Sequence, residues 1–136
     1  MKTPIRFIVI DDDSVNNMVC RFVIKSAAGE LEIQTFINPE TGFGYIEKEY
    51  ADNENEMPIV LFLDINMPTW SGWEFLENFE KLNEQIKKQI KIYMLSSSVD
   101  LKDIERARSN PYVVDYIVKP LTTKVVSQII SLEVRK

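Results

Sequence analysis

The chain has no histidine, one cysteine and four glycines among 136 residues. Each shortage excludes a class of function. Without imidazole and with a single thiol there is no His/Cys zinc site, no Ser–His or Cys–His catalytic pair and no internal disulfide. The glycines form no Gly-rich nucleotide loop. No apolar run approaches the roughly 20 residues of a membrane span. The opening Met1-Lys2-Thr3-Pro4 leads into an apolar run that turns acidic too soon for a signal peptide. Basic residues are also the minority, 16 Lys+Arg against 21 Asp+Glu, for a net charge of −5. That balance argues against nucleic-acid binding. Hydrophobic residues make up 45% and charged residues 27%, as in a globular domain with a core. The expectation is one cytoplasmic domain over 1–136 whose chemistry rests on carboxylates, hydroxyls and lysines.

Apolar patterning alternates along the chain. Ile5–Ile10 reads as a buried strand ending in Asp11-Asp12-Asp13. Val15, Met18, Val19, Phe22 and Val23 then recur at helical spacing, predicting a helix with that apolar face, capped by Asp13 or Ser14 and stopped by Gly29. Further strands are predicted over 31–37, 59–63, 90–95 and 113–118. Four more helices begin near Pro39, Gly72, Leu101 and Thr122, the second of these with Gly72, Phe75, Leu76, Phe79 and Leu82 on one side. Five strands alternating with five helices imply right-handed crossovers and a doubly wound parallel sheet with helices on both faces.

In such a sheet, ligands bind beyond the carboxyl ends of the strands. Those ends carry the chemically unusual residues: Asp11 and Asp12 after the first strand, Asp64 after the third, Ser96 after the fourth and Lys119 after the fifth. Taken singly, each has an ordinary explanation. An Asp there is a turn former or cap, which suits Asp13, and Ser98 reads as a cap and loop residue. Together they do not. Three carboxylates in one crevice repel, so a proton or a cation must accompany them. An all-oxygen set favours a hard ion, Mg²⁺ above all and Mn²⁺ as a second choice. With Lys119 such a site is neutral and suited to a phosphoryl group.

The blocks Val9-Ile10-Asp11-Asp12-Asp13, Leu61-Phe62-Leu63-Asp64-Ile65-Asn66-Met67-Pro68 with Gly72, Leu95-Ser96-Ser97 and Tyr116-Ile117-Val118-Lys119-Pro120 together resemble the signatures of the response-regulator receiver domain, in family order, from about Arg6 to Val134. The resemblance implies a flavodoxin-like sheet of order 2-1-3-4-5. It implies Asp64 as phosphoacceptor, taking its phosphoryl group from a sensor histidine kinase or phosphotransfer protein. Asp12 and Asp64 would ligate Mg²⁺ directly, Asp11 directly or through water, and Asn66 through its backbone carbonyl. Lys119 would pair with Asp64 and then with a phosphoryl oxygen. Ser96 would turn toward the phosphoryl group and Tyr116 inward, repacking the fourth helix, fifth strand and fifth helix into a surface for a downstream protein, or for a phosphorylation-dependent homodimer. Ser97 would leave access to the phosphate; Asn66 and Ser98 stand where the family tunes phosphoryl lifetime, and neither is an acid able to orient water.

Two alternatives share the residues. An aspartate-nucleophile phosphatase would need a second acid two residues after Asp64, where Asn66 stands. A phosphorylation-independent pseudo-receiver would lack some of Asp11, Asp12, Asp64, Ser96 and Lys119, and all five are present. The acidic stretch 47–56 is expected to be a solvated loop. Cys20 is expected to be a small structural residue, and Trp70 and Trp73 to pack or to meet a partner. The tail from Glu133 leaves no room for an output domain, so the output is expected to be a protein contact.

Overall fold

The computed structural model describes residues 5–29, 32–51 and 58–134. Five strands, β1 (Arg6–Ile10), β2 (Glu32–Phe36), β3 (Ile59–Leu63), β4 (Ile90–Ser96) and β5 (Val113–Val118), form one sheet of order β2-β1-β3-β4-β5, every neighbouring pair parallel. Six helices among the described residues join them: α1 (Ser14–Ala28), α2 (Pro39–Glu49), α3 (Gly72–Glu80), α4 (Glu84–Lys87), α5 (Leu101–Arg108) and α6 (Thr123–Val134). The doubly wound, flavodoxin-like sheet is the one the alternating pattern predicts. The additional helix, α4, is a single turn. Leu82 ends the third apolar stripe, but Asn83 starts a new turn by accepting from the Ile86 N–H at 3.0 Å, so α4 separates from α3.

Strand alternation sorts the core into two layers. Ile8, Ile10, Leu61, Leu63, Ile92 and Met94 pack with Ile46, Phe75, Phe79 and Ala107 on the α2–α3–α5 side. Phe7, Val9, Val60, Phe62, Tyr93 and Leu95 pack with Cys20, Ile24, Val126 and Ile129 under α1 and α6. The central strand β3 is buried at every residue, as expected of a strand covered on both faces.

The face of α1 differs from the predicted one. Val15, Met18, Val19 and Phe22 are exposed, Met18 and Phe22 more than 70% so. The buried side is Asn17, Cys20 and Ile24, backed by half-buried Val23 and Ala27. Both sets recur at helical spacing; the sheet takes the one that follows from the short turn after Asp11, where Asp13 caps α1 by accepting from Val15 and Asn16 N–H groups. The acidic stretch is also redrawn. Glu47–Glu49 complete the last turn of α2, Tyr50 is buried beside Tyr45 and under Arg6, and 52–56 lie outside the described residues. Glu133, read as part of a tail, is buried and accepts from the Tyr93 hydroxyl at 2.9 Å.

Candidate functional site

Parallel register brings the strand ends to one rim. Ile10 pairs with Leu63, Leu63 with Met94 and Ser96 with Val118, so Asp11, Asp64, Ser96 and Lys119 emerge side by side. Backbone hydrogen bonds extend this past the strands, from the Asp64 N–H to the Ile10 carbonyl and from the Lys119 N–H to the Ser96 carbonyl. The Lys119–Pro120 peptide is cis. On the far side of Asp64, α3 starts hard against the rim. A Cβ on Gly72 would lie 2.5 Å from the Asp64 carbonyl oxygen and 3.0 Å from the Ile65 Cα, so only glycine fits. Ser71 and Glu74 lock that helix start in a reciprocal capping box.

Carboxylate oxygens of Asp11, Asp12 and Asp64 lie within 4.8 Å of one another. Asp11 and Asp64 are buried and Asp12 is exposed at the mouth. Lys119 makes its short ion pair with Asp11, 2.7 Å, and a longer one with Asp64, 3.7 Å. The lysine thus sits closer to Asp11, after β1, than to Asp64, the acid the resemblance pairs it with. Asp64 has a donor of its own, since the Ile65 N–H reaches its other oxygen at 2.9 Å.

Burial, and next the charge on Asp11, push the Asp64 carboxyl up to about 6; Lys119 and the Ile65 N–H pull the other way without prevailing. Burial works against the Lys119 charge, but the Asp11 hydrogen bond and the Asp64 and Asp11 charges hold its ammonium above its ordinary range. One cation therefore leaves the acids under-compensated. The donor set is all oxygen, convergent and open through Asp12, which fits a hard divalent ion such as Mg²⁺.

Ser96 is fully buried at the end of β4, while Ser97 is exposed. Asn66 is exposed in the loop after Asp64. The Ser98 N–H donates to Ser96 Oγ at 3.2 Å. Tyr116 is buried, and its hydroxyl donates to the Ser98 carbonyl at 2.7 Å. Trp70 packs edge-on to Phe43 and Phe75, and Trp73 lies under the Arg106 guanidinium, 4.4 Å from the ring centre.

Two residues escaped the reading of the sequence. Asn16 Nδ2 donates to Asp11 Oδ2 at 2.8 Å, the same oxygen that Lys119 holds. Asn17 Nδ2 donates to the Asp11 carbonyl at 3.0 Å and the Phe36 carbonyl at 3.4 Å, tying the ends of β1 and β2 together. The signal was the Asn-Asn pair in the first turn of α1, one of whose members falls on the helix's buried side.

The sequence profile of the response regulator receiver domain matches residues 7–131. The chain belongs to that family. Among solved structures, a two component response regulator from Cytophaga hutchinsonii is 25% identical, with a TM-score of 0.87 and all of both chains covered. A response regulator receiver protein from Dyadobacter fermentans is 26% identical with a TM-score of 0.82, over 94% of this chain and 96% of that one. The fold is shared as well with the CheX-CheY-BeF3-Mg+2 complex from Borrelia burgdorferi, 19% identical with a TM-score of 0.72, covering 94% and 88%. No curated protein sequence matches significantly. Receivers are phosphoacceptor switches of two-component signalling that bind Mg²⁺ in an acidic pocket and meet histidine kinases or phosphotransfer proteins and downstream targets. No helix among the described residues is long and apolar enough to cross a membrane.

Proposed function

We propose that this receiver takes a phosphoryl group on Asp64 from a histidine kinase or phosphotransfer protein and passes the signal on as a protein contact. The observation that carries the reading is the convergence of Asp11, Asp12, Asp64 and Lys119 from three strand ends on one partly open crevice. An Asp64 oxygen attacks phosphorus as the donor's nitrogen–phosphorus bond breaks, giving an acyl phosphate. Mg²⁺, held by Asp12 and Asp64, by Asp11 directly or through water and by the Asn66 carbonyl, would offset the charge gathered at the phosphoryl oxygens; Mn²⁺ suits the same donors. Lys119 shifts from Asp11 and Asp64 toward a phosphoryl oxygen. The Ser96 hydroxyl donates to another, and the exposed, small Ser97 leaves the approach clear. Neither Asn66 nor Ser98 supplies a carboxylate to activate water, so unusually fast hydrolysis of the acyl phosphate is not expected.

Two surfaces flank the crevice. The exposed apolar stripe of α1, with Lys25 and no acid on that helix, suits a helical donor. The switch surface is α5–β5–α6, which holds Tyr116 and follows Ser96 in the chain, and there Leu101, Val114 and Val118 are exposed; its partner is a downstream protein or a second phosphorylated copy. We place the protein in the cytoplasm, where such donors work.

Incubation with acetyl phosphate and Mg²⁺ should give a stable mass gain of one phosphoryl group. Asp64→Asn should abolish it, and Asp12→Ala should chiefly raise the Mg²⁺ concentration needed. A labelled Asp64→Asn protein would refute the assignment, and steady phosphate release without adduct would point to a phosphatase.

A further inference from the structure

Helix α5 is weakly held by apolar contact. Ala107 is its one fully buried side chain, Ile104 is half-buried, and Leu101 is 71% exposed. Polar contacts at both ends hold it instead. At the C-terminal end, Arg106 stacks on Trp73 and Arg108 reaches Asp115 at 3.7 Å. At the N-terminal end the contacts meet on one residue, Ser98. Its hydroxyl donates to Asp103 Oδ2 at 2.8 Å and accepts from the Asp100 N–H at 3.2 Å, and Asp100 is the cap of α5. Its N–H donates to Ser96 Oγ, and its carbonyl accepts from Tyr116. All the hydrogen-bonding groups of Ser98 are engaged, and they link Ser96, α5 and β5.

We propose that Ser98 is a positioning residue that couples Ser96 to α5, with its hydroxyl clasping Asp103 so that the N-terminus of the helix follows any displacement of Ser96. This rests on the reading in which Ser96 meets the phosphoryl group. Turning the Ser96 hydroxyl toward that group moves the acceptor of the Ser98 N–H, a bond already 3.2 Å long. The Ser98–Asp103 bond is the stiffer link, because its acceptor is charged. Strain at Ser96 is therefore passed to the helix sooner than it is absorbed in the turn.

Hydrogen exchange by mass spectrometry on the full chain tests this, in Ser98→Ala, Asp103→Ala, the double variant and Ser98→Thr. In unphosphorylated protein each alanine variant should speed exchange across 101–108 by about tenfold, the factor that ~1.4 kcal/mol represents. The double variant should exceed the larger single one by less than about twofold, because both remove one bond. Exchange in α1 and β3 should not change, and Ser98→Thr should restore protection. In samples matched for acetyl-phosphate label, phosphorylation should alter α5 exchange in the wild type and Ser98→Thr, but by less than half as much in Ser98→Ala. Multiplying effects, equal speeding of every helix or an undiminished response in Ser98→Ala would overturn the coupling. Failure of the wild type to label Asp64 would overturn the phosphoacceptor reading and the coupling with it; normal labelling with unaltered α5 exchange in the variants would overturn the coupling alone.

Discussion

Asp64 holds its proton more tightly in the fold than in the unfolded chain, about 6 against 3.8. Between those values the native state binds more protons, so metal-free protein should lose stability as pH rises from about 4 to about 6, by ~3 kcal/mol in all. Asp64→Asn should flatten that slope and raise metal-free stability at pH 7 by a similar amount; urea melts across pH in a chelator will show it. A wild-type slope of zero would mean that Lys119 compensates the acids fully. The other residue-scale lever is Asn16. It shares the Asp11 oxygen that Lys119 holds, so Asn16→Ala should leave Asp11 free to swing toward the lysine. Weaker Mg²⁺ binding by about tenfold is expected, the lower end of what loss of an outer partner costs. Titrating intrinsic Trp fluorescence with Mg²⁺ measures it, since Trp70 follows Asp64 in the same loop.

At the scale of elements, α1 shows what pattern can and cannot decide. Helical spacing correctly predicts the helix and its Gly29 stop, where φ is +79°, and leaves the cap between Asp13 and Ser14, of which the structure takes Asp13. It cannot choose between two apolar stripes on one cylinder, because that depends on the angle at which the chain leaves β1. Ile24→Ala should therefore cost about 3 kcal/mol, while Phe22→Ser should change stability by less than about 0.5 kcal/mol, as chemical denaturation will report. Strands were easier to read. Residues 59–63 and 113–118 match the predicted spans to the residue; the first is a strand covered on both faces and written as a continuous apolar run with charge at its end, the second an edge strand bounded by Pro111 and Lys119-Pro120. The one-turn α4 was invisible because four residues carry no period. For the same reason Asn16 went unread: its value lies in a partner five residues back, on the far side of a turn.

For the molecule as a whole, the rim of acids, hydroxyl and lysine was legible because topology alone gathers strand ends. Which acid Lys119 prefers was not, since that depends on side-chain direction within a few tenths of an ångström. The sheet is a wall shared by two cores, and polar pins secure its layers where apolar contact thins out. One such pin is Tyr93–Glu133, joining β4 to the last turn of α6. Tyr93→Phe would strand a buried carboxylate and should cost about 1–3 kcal/mol, with the loss of exchange protection concentrated in α6. Strand order carries a consequence for biosynthesis. β1 and β3 are neighbours within the sheet, whereas β5, which delivers Lys119, is an edge strand and the last strand to leave the ribosome. A nascent chain can thus bring three aspartates together before Lys119 exists. At that stage the three acids have to be offset by a proton or by a cation from solution, so the site meets its counter-charge problem before the protein is complete.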